Sequence, residues 1–292
     1  MAEPWSDQAD GLRRLLSAVP LQFIALTSAQ AEAGRPWAVL NLAAALRLAG
    51  VGVLVVDAAA GAPGGLTAAR RGGHEMADVL AGRCQLEGAI LPGPEGIPVL
   101  PARTGVAGLA GEGAPARLLS ERLHALPGGI EVLLVNLPAG ESGGQITPAL
   151  LGHDLVVTAS PQRESVTATY RLLRRLAQQR GKREFRLLVT GASHAAEAQR
   201  VHRTLAQALQ RWAGARLDLL GVMPTDPHLR LAASQGRTVV ASEPDAVAAS
   251  SFRRMADSLI RRRSHAHARS RAAAPVFSWA DAVGLATPSM RG

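Results

Sequence analysis

The residues best suited to chemistry sit in one short turn. It reads Thr27-Ser28-Ala29-Gln30-Ala31-Glu32-Ala33-Gly34-Arg35-Pro36, between an apolar run and a helical pattern. A turn that leads from a buried strand into a helix is where parallel α/β sheets cradle phosphate. The chemistry needs converging backbone N–H groups, a helix N-terminus, a cation and a hydroxyl for Mg²⁺. Two more polar side chains close apolar runs. Asp57 follows Val53-Leu54-Val55-Val56, and Asn136 follows Leu133-Leu134-Val135. A carboxylate in that position can hold a metal or orient water; the amide of Asn136 is a much weaker Mg²⁺ partner. Lys182 is the only lysine among 32 lysines and arginines. Any site that requires lysine must use it or do without. The single cysteine, Cys84, excludes an internal disulfide and a cysteine-cluster metal site.

Short apolar runs must position these residues. Gln22–Ser28, Val51–Asp57, Ile97–Leu100, Ile130–Asn136, Leu155–Ala159, Phe185–Thr190 and Leu217–Gly221 are continuous rather than alternating. That is the pattern of strands buried on both faces. Helical patterns fall between them at Pro36–Ala49, Glu75–Ala81, Ala114–Ala125, Ser165–Gln179, Ala195–Ala213 and Asp245–Arg263. Strand and helix alternating on this scale predict βαβ units, hence a doubly wound, mostly parallel α/β sheet with helices on both faces. The organisation expected is a lead-in over residues 1–19, an α/β domain over 20–263 and a basic tail over 264–292 without fixed structure. The tail is rich in Ala, Ser, Arg and Pro.

Composition narrows the function classes. The chain has 292 residues, is 47% hydrophobic and carries a formal net charge of +9. No run approaches the roughly 18–20 apolar residues of a membrane span, and the polar start lacks a signal-peptide core. A cytoplasmic protein is expected. Much of the positive excess lies beyond residue 260, where Arg261, Arg262, Arg263, Arg269, Arg271 and Arg291 face only Asp281. A basic tail attracts acidic partners, nucleic acid or anionic lipid, but a simply solvated tail serves as well.

The turn and its helix resemble the MinD/ParA class of deviant-Walker P-loop ATPases. That family's K-G-G-x-G-K-[ST] is followed by N-L-A, and Asn41-Leu42-Ala43 sets the register without a gap. The family's first lysine then falls on Gln30, its two glycines on Ala31 and Glu32, and the retained glycine on Gly34. The P-loop lysine falls on Arg35 and the hydroxyl residue on Pro36. Pro36 lacks both an N–H and a hydroxyl, although proline suits a first helical turn. Glu32 places negative charge where polyphosphate would lie. Arg35 keeps a cation, but a planar fork does not replace a point charge. In the stretch resembling V-D-x-D-x-G, Asp57 remains and Ala59 replaces the second aspartate. In the stretch resembling D-x-P-A-G the aspartate is Asn136, and Thr190 stands where the family recognises the base with asparagine. Gln30, Glu32, Gly34, Arg35, Pro36, Asp57 and Asn136 therefore outline a vestigial nucleotide pocket. No catalytic residue, metal site or cofactor is expected, ATP with Mg²⁺ being the cofactor if the pocket functions after all.

The middle of the chain points to one branch. Met76-Ala77-Asp78-Val79-Leu80-Ala81-Gly82 through Ile90 and Gly93-Pro94-Glu95-Gly96-Ile97-Pro98 look like segments of the flagellar number regulators, the FlhG/FleN-like branch. Gly221-Val222-Met223-Pro224-Thr225-Asp226 is similar to the wider family's G-x-i-P-x-D. Ser6-Asp7-Gln8-Ala9-Asp10-Gly11-Leu12-Arg13 resembles the D-Q-A-x-x-L-R lead-in of that branch. The resemblance implies that Asp7, Gln8, Ala9, Leu12 and Arg13 bind an FlhF-type SRP GTPase and stimulate it. Spacing adds that Trp5, Ala9, Leu12 and Leu16 share one helical stripe, which an N-terminal helix docked on its own domain would also show.

The resemblance further implies contacts with flagellar switch or transcription-regulator proteins, and a place in the cytoplasm, at the cell pole or the inner membrane surface. Nucleic acid is not an expected partner, and membrane contact would be weak. The last helical pattern, with Phe252, Met255, Leu259 and Ile260 on one side, reads as a core helix rather than a membrane anchor. Ser165, His153 and Asp154 do not form a nucleophile-elbow pattern and read as scattered residues. Two alternatives remain open: an active MinD-type ATPase switching between monomer and dimer, and a ParA-like DNA-binding partition protein.

Overall fold

The computed structural model describes residues 21–32, 34–59, 66, 73–103, 123, 126, 129–140 and 154–273. The expected partner-binding residues Asp7, Gln8, Ala9, Leu12 and Arg13, the helical pattern at 114–125 (apart from Leu123) and the last part of the tail lie outside these residues. The chain divides into two units, 1–258 and 259–292.

The first unit is built on an eight-stranded sheet. In chain order its strands are β1 (Gln22–Ser28), β2 (Val53–Asp57), β3 (Leu91–Pro92), β4 (Pro98–Pro101), β5 (Val132–Asn136), β6 (Asp154–Ala159), β7 (Glu184–Ala192) and β8 (Arg216–Pro224). They lie side by side as β3-β4-β2-β5-β1-β6-β7-β8. All pairings are parallel except β3 with β4. The continuous apolar runs have their cause here. Every residue of β2 and of β5 is buried, because helices cover both faces of a parallel sheet. β3 is an edge strand, where Pro92 costs no ladder bond.

The helices are α1 (Arg35–Leu48), α2 (Met76–Leu80), α3 (Leu86–Ala89), α4 (Arg163–Arg180), α5 (Ala195–Ala213), α6 (Pro227–Ser234), α7 (Val239–Ser242) and α8 (Val247–Ala273). The predicted and observed limits of β1 and α5 coincide, and the other predicted elements among the described residues shift by one to three residues at most ends. α3, α6, α7 and β3 were not legible in the sequence. Each helix among them has eight residues or fewer and β3 has two, too short for a periodicity to develop.

α8 departs from expectation. Its backbone stays helical to Ala273, so residues 264–273, expected to lack fixed structure, are helical. The stretch is rich in Ala and Arg, good helix formers, and holds no glycine or proline until Pro275. The core reading of this helix holds in the first unit, where Phe252 and Met255 are fully buried.

Gly221 lies in β8 under that helix. A Cβ built there would collide with Cγ and Sδ of Met255. Met255 is itself buried and has no room to withdraw. Gly221→Ala is therefore expected to cost about 1–3 kcal/mol through overpacking, measurable as a lower midpoint in urea denaturation.

Glu95 adopts φ 49, the only described non-glycine residue in the left-handed region. Its carboxylate accepts from the backbone N–H and Oγ of Thr238 (2.9 Å for the hydroxyl). Arg237 lies 3.6 Å away. These bonds hold the turn before β4 against the start of α7 and offset the backbone strain.

Candidate functional site: a pocket filled by its own side chains

The chain leaves β1 for β2 on one side and later returns to β6 on the other, so the sheet reverses direction at β1. Crevices at such points, outside the carboxyl ends of the strands, are where open α/β sheets bind ligands. Register brings the candidate residues there. Asp57 pairs with Asn136 across β2 and β5, and Ser28 pairs with Thr158 across β1 and β6.

The ends of β2 and β5 are closed by internal bonds. Asn136 Nδ2 donates to Asp57 Oδ1 at 2.8 Å. The backbone N–H of Leu66 donates to Asp57 Oδ2 at 2.8 Å. Both Asp57 and Asn136 are wholly buried. Both carboxylate oxygens of the retained aspartate thus have protein donors. The following segment lies along the end of β1: Leu137 N–H donates to Leu26 O, Gly140 N–H to Ser28 O and Thr27 Oγ to Pro138 O (3.1 Å). Ala59, expected at the position of the family's second aspartate, is buried.

The turn before α1 is built differently from a phosphate cradle. Gln30 is exposed, and its carbonyl accepts from Ser28 Oγ at 2.6 Å. Gly34 has φ −76, so it is not needed for a left-handed turn. It provides space instead, since a Cβ there would lie 2.8 Å from Met223 Cε. Pro36 occupies the first turn of α1, which contains no acidic residue.

Arg35 does not present its charge to solvent. The side chain is 0% exposed. Its Nη1 donates to Ser28 Oγ at 3.3 Å, while Nε and Nη2 have no hydrogen-bond partner. Burial pushes the guanidinium below its ordinary pKa, and the negative charges of Glu32 and Asp57 pull it back up.

Glu32 closes the turn over the strand ends. Thr158 Oγ at the end of β6 donates to its Oε2 at 2.8 Å, and Thr190 Oγ on β7 to the same oxygen at 3.2 Å. Ser165 Oγ on α4 donates to Oε1 at 3.4 Å and also accepts from Ser160 N–H at 3.0 Å. All three hydroxyl residues are buried. Sequence reasoning took Glu32 only as a repulsive charge, set Ser165 aside as a scattered residue and gave Ser28 and Thr158 no partner in the pocket. No local pattern shows that these hydroxyls meet Glu32, because they lie on separate elements.

Lys182 does not reach this site. It lies just before β7, at the end of the sheet opposite the pocket. Burial lowers its pKa, and Asp154 and Glu184 oppose that shift. Asp154, the first residue of β6, pairs with Arg186 at 2.9 Å. Ser165 follows the other end of that strand, so the two are not part of one hydrolytic set. Among the described residues, no group of three or more His, Cys, Asp or Glu side chains could hold a metal ion. No described helix is long and apolar enough to cross a membrane.

No family model matches the chain. It is similar to the antiactivator FleN of Pseudomonas aeruginosa, 27% identical over 258 residues that cover 84% of this chain and 88% of that protein. It is 30% identical to an ATP-binding protein of Methanocaldococcus jannaschii over 239 residues, 81% of this chain and 87% of that protein. Among solved structures it superposes on the MinC:MinD cell division protein complex of Aquifex aeolicus with a TM-score of 0.59 at 20% identity, covering 82% of this chain and 96% of that one. At that identity the likeness shows the fold alone.

Proposed function

Because this chain belongs to the MinD/ParA family of P-loop ATPase folds and is a homologue of the antiactivator FleN, we propose that it regulates flagellar number and placement as an interaction protein without ATPase activity of its own. In this reading residues 1–19 engage an FlhF-type SRP GTPase and stimulate its hydrolysis. Asp7, Gln8 and Arg13 present polar groups to the GTPase, and Ala9 and Leu12 provide apolar contact. The body meets flagellar switch or transcription-regulator proteins. The work is done in the cytoplasm, at the cell pole or the inner membrane surface.

The observation that carries the non-hydrolytic part is the occupancy of Asp57. Phosphoryl transfer relies on metal ions and positioned cations to stabilise charge in the transition state. Here the retained aspartate accepts from Asn136 Nδ2 and Leu66 N–H, the hydroxyl ligand is replaced by Pro36, and the P-loop cation is a buried arginine. The chain's own residues bind one another where a nucleotide complex would need them free.

The 30% identity to an ATP-binding protein favours a second reading, an active ATPase that switches between monomer and dimer. One pair of measurements separates the two. Calorimetry of the full chain with Mg-ATP is expected to show no binding at micromolar concentration and no phosphate release; micromolar affinity would sink the non-hydrolytic reading. The purified GTPase is expected to hydrolyse GTP faster with the full chain. Triple replacement Asp7→Ala, Gln8→Ala and Arg13→Ala should return it to the basal rate. Equal stimulation by that variant would overturn the activator role.

A further inference from the structure

We propose that Glu32 is a built-in anion: its carboxylate fills the pocket in place of a ligand, and its removal opens a site for a phosphate-class anion beside Arg35. The inference rests on the reading that the native pocket is not loaded with nucleotide.

The first support is geometric. One side chain on the turn before α1 accepts from hydroxyls on three other elements, β6, α4 and β7. Those donors are far from it in sequence and nearly inaccessible: Thr158 is 0%, Thr190 5% and Ser165 6% exposed. A buried hydroxyl needs an acceptor, and leaving it unmet costs free energy. In a phosphate site the acceptor is a ligand oxygen. Here the chain provides it, and the carboxylate's two oxygens divide the three donors between them.

The second support comes from Arg35. A guanidinium carries five N–H donors in a fixed fork and no acceptor. Buried at 0% exposure, it makes one hydrogen bond, to Ser28 Oγ, and its Nε and Nη2 have no partner. A buried cation with spare donors is stable only if negative charge lies close. Glu32 and Asp57 are the groups whose charge acts on it most strongly. Asp57 is wholly buried at the strand end, whereas Glu32 is half-buried on the turn that leads into Arg35, which makes Glu32 the countercharge that a substitution can remove.

Deleting the Glu32 carboxylate therefore does three things together. It releases the hydroxyls of Thr158, Ser165 and Thr190, removes negative charge from beside Arg35, and empties the space the carboxylate held. The N-terminus of α1 adds a favourable dipole at the same spot. Inorganic phosphate and pyrophosphate match that set: compact anions with several acceptor oxygens.

The test compares the full-length chain with its Glu32→Ala variant by calorimetry and thermal shift, with inorganic phosphate and pyrophosphate as probes. The wild type is expected to give no phosphate signal. Glu32→Ala should bind at least about tenfold more tightly than wild type, a difference of roughly 1.4 kcal/mol. Its midpoint should rise with phosphate concentration, as linkage requires. Adding Arg35→Met to that variant should abolish the gain. Equal binding by wild type and variant, or no binding by the variant, overturns the proposal. If Glu32→Ala does not fold, Glu32→Gln keeps an acceptor oxygen and drops the charge. A gain in phosphate affinity over wild type by that variant supports the proposal and no gain overturns it. If wild type is silent to Mg-ATP while the variants gain nothing, only the role of Glu32 fails. Micromolar Mg-ATP binding by wild type defeats the functional reading itself.

Discussion

Replacing Asn41 by leucine should lower the stability of the fold by about 2–5 kcal/mol. Asn41 is fully buried on α1. Its Oδ1 accepts from the backbone N–H of Val239 at 2.8 Å and of Val240 at 3.3 Å, and its Nδ2 donates to Trp37 O at 2.8 Å. The first N–H groups of any helix lack intrahelical acceptors. In α7 the residue before the helix, Thr238, makes no side-chain cap bond; its hydroxyl donates to Glu95. Asn41 is the acceptor instead, from almost two hundred residues away in sequence. Leucine matches its size and removes the acceptor, stranding two buried donors at roughly 1–3 kcal/mol each. The thermal midpoint should fall by something on the order of 5–15 °C. Asn41→Asp keeps acceptor oxygens beside a helix N-terminus and should lose much less. Equal losses for the two variants would show that the Nδ2 donor to Trp37 O, which both lack, and not the acceptor explains the effect.

Asp226 carries the second large effect. It is 6% exposed and caps α6, with Oδ1 accepting from His228 N–H at 2.9 Å. Oδ2 accepts from Ala248 N–H in the first turn of α8 at 3.0 Å. One carboxylate thus serves two helix N-termini, where negative charge is favoured. Asp226→Ala removes a cap and a charge-assisted bond and should cost about 2–4 kcal/mol. Asp226→Asn keeps one oxygen and turns an NH₂ toward the other donor, so it should be nearly as costly. Urea denaturation of both variants decides this. Full stability in the asparagine variant would mean that only one of the two bonds contributes.

These two residues change what the family resemblance means for this chain. Asn41 belongs to the N-L-A stretch and Asp226 to the P-x-D stretch by which the sequence was aligned. Both make structural bonds in this chain that involve no nucleotide. Gly221, in the same stretch as Asp226, makes room for Met255. Of the positions expected to depart from the family's motifs, Arg35 and Asn136 make internal bonds of their own, to Ser28 and Asp57.

Most of the fold was legible because a parallel sheet covered on both faces imposes one pattern, short unbroken apolar runs separated by amphipathic helices. The FleN-like relationship was legible for the same reason that a register was: motif pieces keep their spacing along the chain. The short elements were not legible. α7 is held by Asn41 and Glu95 from elsewhere, so its own four residues carry no signal. The extension of α8 was missed because a solvated, arginine-rich helix looks like a tail by composition alone.

The sequence by itself determined which chemical groups the turn and the strand ends lack, since a proline has no hydroxyl and an asparagine no charge in any conformation. Tertiary structure alone decided what replaced them. Glu32 meets Thr158, Ser165 and Thr190, and Arg35 is buried with two unpartnered nitrogens, only because crossovers bring the ends of β1, β2, β5, β6 and β7 to one place. Hydrogen bonds act over about 3 Å, and the distances along the chain that separate these groups leave no trace of such a meeting until the sheet has closed.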